Sequence, residues 1–315
     1  MALNLPTTYE VTEFLQRTTH PNSVKIISQE YSSIPGVLIT ETGEKLKESR
    51  SNNENQFQTI YKEDNASYVN GFDLNKKFIA TEQPMESTLN SFLVLVWKNN
   101  SRVIVMLSGV EEELQPNSIS YFSSNQNDTI FGDFIVTQKE INLENSYTET
   151  VLSITCIQTG HSRIVHHFNY WNWHRCGFPK EEEFLEFLLA INKKYQDFGL
   201  EAVINSKNWT GPIIVHGNAG LGRALIFCAI DTCLCQLVCT ETISVQSVVV
   251  EIRNQMKNFS IPDVSQYIFI HRVLCHFLKN IRSNLVAFLK LRSFYIAKDL
   301  YLSYHPIGKS LELVN

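Results

Sequence analysis

The stretch Val215-His216-Gly217-Asn218-Ala219-Gly220-Leu221-Gly222-Arg223 has the residue types and spacing of a cradle for an oxyanion. Glycines at 217, 220 and 222 let backbone N–H groups turn toward one point, and a helix starting behind them adds the positive end of its dipole. Arg223 supplies a planar fork that grips two oxygens of the same anion. Phosphate-binding positions are therefore expected at Asn218, Ala219, Gly220, Leu221, Gly222 and Arg223. An attacking atom is missing. Gly217 has no side chain, Asn218 is a weak nucleophile, and the stretch contains no Ser or Thr; even the residue after Arg223 is Ala224.

Such a cradle needs a strand ahead of it and a helix behind it. Pro212 to Val215 is a short apolar run that reads as a buried strand, and Ala224 to Cys239 reads as a buried helix. Phe92 to Trp97 reads as a helix and Val103 to Leu107 as a core strand. Phe131 to Val136, Val151 to Ile157 and Arg163 to Tyr170 alternate like antiparallel strands. Lys180 to Tyr195 places Phe184, Phe187, Leu188 and Ile191 on one helical stripe, with Glu181 to Glu183 in its first turn. Tyr9 to Arg17, Ile243 to Met256 and Val264 to Phe277 are further expected helices, and Ser32 to Asp64 is polar and irregular.

The glycine-rich stretch resembles the His-Cys-x-x-Gly-x-x-Arg signature of the protein tyrosine phosphatases, with Gly217 in the place of the catalytic cysteine. Other landmarks occur in that family's order. Asn65 to Gly71 and Phe78 to Pro84 are similar to its Asn-Ala-(Ser/Asn)-Tyr-Ile-x-Gly and Tyr-Ile-Ala-Thr-Gln-Gly-Pro segments. Trp173-His174-Arg175-Cys176-Gly177-Phe178-Pro179 is similar to its mobile Trp-Pro-Asp loop. The resemblance implies an α/β fold: a twisted mixed sheet flanked by helices, with the phosphate-binding loop between a strand and a helix. It implies a domain over 25–285, an N-terminal helical extension over 1–24 and a C-terminal extension over 286–315.

Measured against that family, the catalytic apparatus is degenerate at Gly217, Arg175 and Pro262. Family members use a thiolate nucleophile and an aspartic acid that protonates the leaving phenolate. Gly217 cannot form a phosphoenzyme, and Arg175, in the place of the acid, stays protonated. Pro262 falls where a water-orienting glutamine belongs, although Gln266 follows four residues later. The family's aromatic clamp has no counterpart before Asn65; Ser51 to Gln58 occupies that region. Arg175 could close over a phosphate or sit in the empty cradle beside an acidic residue. The resemblance therefore implies an inactive relative with phosphotyrosine-containing or other signalling proteins as partners. A phosphotyrosine trap, a surface scaffold with an empty site and a residual phosphatase all stay open. The style of degeneration is similar to the tyrosine-phosphatase-like family of bracoviruses, which implies interference with immune-cell signalling in a parasitised insect. A degenerate second domain of a receptor phosphatase is the competing origin.

Composition adds exclusions. With 27 basic against 32 acidic residues the net charge is −5, which does not suit a general nucleic-acid binder. Met1 to His20 does not read as a secretory signal, and the apolar run through Ala224 to Cys239 contains Asp231, so no membrane span and a cytoplasmic location, the host's if viral, are expected. The seven cysteines lack metal-ligand spacing and read as small buried hydrophobes in a reducing compartment. His166 and His167 share a strand without a third ligand, so neither a metal nor a cofactor is expected.

Overall fold

The computed structural model describes residues 8–34, 66–109, 122, 127–174, 177–204, 210–217, 221–256, 263–281 and 285–304. Strands β2 (Ala66–Gly71), β3 (Leu74–Glu82), β4 (Val103–Leu107), β5 (Thr129–Phe131), β6 (Phe134–Leu143), β7 (Tyr147–Cys156), β8 (Ser162–Tyr170) and β9 (Ile213–Gly217) form one eight-stranded sheet in the order β2-β3-β9-β4-β8-β7-β6-β5. The central strands β3, β9, β4 and β8 are parallel, and both wings are antiparallel. The sheet is mixed, as expected. A small ribbon, β1 (Tyr9–Glu10) with β10 (Thr242–Ile243), stands apart from it.

Helices cover both faces. Alternate residues of the central strands point to opposite sides: Ile213 and Val215 join one core cluster, and Ile214 joins the other. The second cluster sits under α3 (Leu89–Lys98), which contributes Leu89, Phe92, Leu93 and Val96. The first gathers α1 (Val11–Thr19), α2 (Ser23–Ser32), α4 (Glu181–Ile204), α5 (Gly222–Thr240), α6 (Val245–Gln255), α7 (Val264–Lys279) and α8 (Leu285–Tyr304). Helix α5 lies at its centre, because apolar residues occur on every side of it and almost all are enclosed. Among the described residues it is the one helix long and apolar enough to cross a membrane, and its length is buried inside the fold.

The structure departs from the sequence reading in three places. The strand expected over Phe131 to Val136 is broken by a hairpin, because Gly132 takes φ +56° and a two-residue turn pairs Phe131 with Phe134. Asn90 of α3 fills the space beside that turn and accepts a hydrogen bond from the Asp133 amide at 3.1 Å. The helix expected to stop at Tyr195 runs on to Ile204, since Phe198 and Ala202 continue its inward stripe. The boundary drawn between 24 and 25 falls inside α2, and α8 fills most of the expected C-terminal extension. Both terminal segments bury side chains in the main core: Tyr9, Phe14 and Ile27 at one end, Leu291, Phe294 and Tyr295 at the other.

Glu30 explains how the N-terminal helices are fixed. Its buried carboxylate accepts from Tyr9 Oη at 2.9 Å, from Arg17 Nη2 at 2.8 Å and from Tyr267 Oη, with His271 Nε2 at 3.6 Å. Burial alone would raise its pKa, but the hydrogen bond and charge of His271 and the two tyrosine hydroxyls outweigh it and hold the group at about 2. A carboxylate lowered on folding contributes stability above its unfolded pKa and loses it as pH falls through the folded value. Glu30 is thus expected to contribute on the order of 3 kcal/mol at neutral pH, lost between about pH 4.5 and 2. Urea denaturation across that range checks this: Glu30→Gln should flatten the acid limb, and an unchanged slope would refute the assignment.

Candidate functional site

The cradle lies where β9 hands the chain to α5. Gly217 is the last residue of β9, paired with Glu82 of β3 and Leu107 of β4, so it stands at the carboxyl end of the parallel strands. Ligands of open α/β sheets bind at that end. Leu221 precedes α5 in helical conformation and its own side chain makes no cap hydrogen bond, and the positive end of the helix dipole falls at this junction. Of the expected phosphate-binding positions, Leu221, Gly222 and Arg223 are placed at this helix start, whereas Asn218, Ala219 and Gly220 lie outside the described residues.

Arg223 is buried in the first turn of α5. Its Nη1 donates to the Leu107 carbonyl at 3.4 Å, and its Cζ lies 5.4 Å from the centre of the Trp173 ring. Trp173 is fixed in turn: its amide donates to Ser108 O at 3.2 Å, its Nε1 donates to Gly177 O at 3.2 Å, and Phe178, Phe184 and Phe269 surround it. The tryptophan loop and the glycine stretch, some fifty positions apart, therefore meet through an arginine–indole contact worth about 1 kcal/mol or more. Arg175 of that loop lies outside the described residues.

Pro262 and the region Ser51 to Gln58 also lie outside them. Gln266 does not. Its Nε2 stands 3.5 Å from where a Cβ on Gly222 would be, which brings the glutamine that follows Pro262 against the cradle. A reciprocal cap holds it: the Asp263 side chain accepts from the Gln266 amide at 3.0 Å, and Gln266 Oε1 accepts from the Asp263 amide at 3.1 Å. The signal available in sequence was this Asp-x-x-Gln capping box, which marks a helix start without saying what that start touches.

His216 lies beneath the junction, fully buried, with its ring edge-on to Phe92 at 5.7 Å. Burial, with His167 nearby, pushes its pKa down to about 3, and burial does the same to His167. Both rings are therefore neutral at physiological pH. His166, one position along β8, instead meets Glu149 at 2.6 Å, so the pair divides into one enclosed and one outer residue as the strand period requires. Among the described residues no cluster of three or more His, Cys, Asp or Glu is placed to hold a metal ion.

A model of the protein-tyrosine phosphatase family matches residues 39–276. The chain belongs to that family. It is 34% identical over 231 residues to tyrosine phosphatase H3 of Microplitis demolitor bracovirus, covering 73% of this chain and 68% of that protein. It is 32% identical over 218 residues to tyrosine phosphatase-like protein J1 of the same virus, covering 68% and 72%. Human tyrosine-protein phosphatase non-receptor type 9 is 31% identical over 217 residues, which span 68% of this chain and 36% of that protein. The phosphatase resemblance read from the motifs, and its bracovirus character, stand on these matches together with the mixed α/β sheet.

Proposed function

We propose that this phosphatase relative is catalytically silent and that it holds or shields phosphotyrosine proteins, or competes for their signalling partners, in the cytoplasm of a parasitised insect's immune cells. The observation that carries the reading is the pairing of Gly217 with Arg223. A glycine ends β9 where the family's nucleophile aligns, while the arginine that grips phosphate is kept in the first turn of α5. Removing a thiolate also removes its repulsion of a phosphate dianion, so an anion can be retained without being cleaved. Loss of the aligned acid at Arg175 and the aligned water-orienter at Pro262 points the same way, because groups that act as a unit leave little rate when several are gone.

A surface scaffold is the second reading, and one contact favours it: Arg223 already bonds Leu107 and faces Trp173, which gives it a structural reason to persist. Calorimetric titration of a phosphotyrosine peptide separates the two. Under the trap reading the native chain binds and Arg223→Ala weakens binding by a factor of about ten to a hundred, the range for a lost charge-assisted hydrogen bond. Absence of binding in the native chain ends the trap and leaves the scaffold. Turnover of an aryl phosphate above the buffer rate on the same preparation ends both.

A further inference from the structure

A polar cluster is enclosed in the core between β3, α4 and α5, and the cradle makes no use of it. Lys77 Nζ meets Asp231 Oδ2 at 2.5 Å and Cys235 Sγ at 3.5 Å, and also donates to Asn192 Oδ1 at 3.3 Å. Cys235 Sγ points to the same Asp231 oxygen at 3.8 Å, as residues four apart on a helix allow. Lys77, Asp231, Cys235 and Asn192 are each at most 2% exposed. A primary amine and a thiol are thus locked in contact, with one carboxylate oxygen placed to take a proton from either.

We propose that Lys77 and Cys235 are a modification site at which dioxygen joins the two side chains through a single oxygen atom, Nζ–O–Sγ. The atoms balance: ammonium, thiol and dioxygen give the bridge, one water and one proton. Two N–H bonds, the S–H bond and the O–O bond break; the N–O and O–S bonds and the two O–H bonds of water form. One ammonium hydrogen leaves as the proton, and dioxygen accepts the four electrons that nitrogen and sulfur give up. The released proton goes to the Asp231 carboxylate, 2.5 Å from the amine. The ammonium–carboxylate pair becomes a neutral bridge beside a neutral acid, so the cost of keeping two ions out of water disappears. That is the driving force this site has and an exposed Lys–Cys pair lacks. Dioxygen is small and apolar enough to enter a protein core, whereas the burial that excludes water also excludes bulkier thiols from Cys235. Burial and Asp231 push the thiol up to about 12, so it rests protonated and the carboxylate must act as base.

Intact mass and peptide mapping of the native chain after exposure to oxygen-saturated buffer test the proposal. The expected result is a species about 14 Da heavier, one oxygen gained and two hydrogens lost, whose peptides carrying Lys77 and Cys235 stay joined until dithiothreitol separates them. Cys228 and Cys233, on the same helix, serve as the internal comparison and should still alkylate after denaturation. Lys77 and Cys235 peptides recovered separately at native mass would overturn the proposal. So would a product about 2 Da lighter, which is a direct Nζ–Sγ bond where the two peptides are joined and a disulfide between cysteines where they are not. Cys235→Ser should abolish the heavier species; the native measurement decides the matter even if that variant folds poorly.

Discussion

Asp231→Leu is expected to lower the unfolding free energy by about 3–5 kcal/mol, among the largest single-residue effects in this fold. The substitution strands the Lys77 ammonium in a site with no water, where Asp231 is its counter-ion at 2.5 Å and Asn192 Nδ2 donates to the other carboxylate oxygen at 2.5 Å. Desolvation would lower the pKa of Lys77, but the charge and hydrogen bond of Asp231 outweigh it and raise it above the ordinary value, so the residue is an ammonium at all accessible pH. Lys77→Met should be similarly damaging for the mirror reason. The double variant Lys77→Met/Asp231→Leu should recover most of the loss or exceed the native stability, because well-packed apolar residues avoid the desolvation cost that a buried pair never fully recovers. Urea midpoints of the three variants check this. Additive losses in the double variant would show that the two residues do not act as a pair.

Restoring chemistry at the cradle is the other large effect. Gly217→Cys alone should give at most weak hydrolysis of aryl phosphates, since a thiolate without an acid must expel an unprotonated phenolate. Adding Arg175→Asp to that variant should raise kcat by a further factor of about 10²–10⁴, the usual contribution of a positioned acid. The gain should grow as the leaving phenol becomes less acidic, because a poor leaving group depends more on protonation. Steady-state rates over a series of aryl phosphates measure it. Family-like rates from Gly217→Cys alone would mean that the acid is carried elsewhere, and a flat leaving-group series would mean that position 175 is not where it acts.

The local pattern of residues settled much of this protein. An apolar run, glycines at 217, 220 and 222, and a second apolar run are enough to place a strand, a turn and a buried helix, because each depends on side-chain period and on backbone freedom within a few positions. The alternation in β7 and β8 and the stripe on α4 were readable for the same reason. Gly217 and Arg223 could be singled out from type and spacing alone.

Contacts between distant elements were decided only in three dimensions. Asp231 in an apolar run argues against a membrane span, yet nothing near it names Lys77, 154 positions away, as its partner. Gln266 is legible as a helix cap, but its approach to Gly222 depends on how α7 packs against α5. Glu30 and Tyr267, 237 positions apart, draw the N-terminal helices onto α7, a partnership that no local pattern around either residue names. Period and propensity act over one turn or one strand; a buried charge or amide is satisfied by whichever group the packed chain brings within hydrogen-bond reach, and that choice belongs to the tertiary fold.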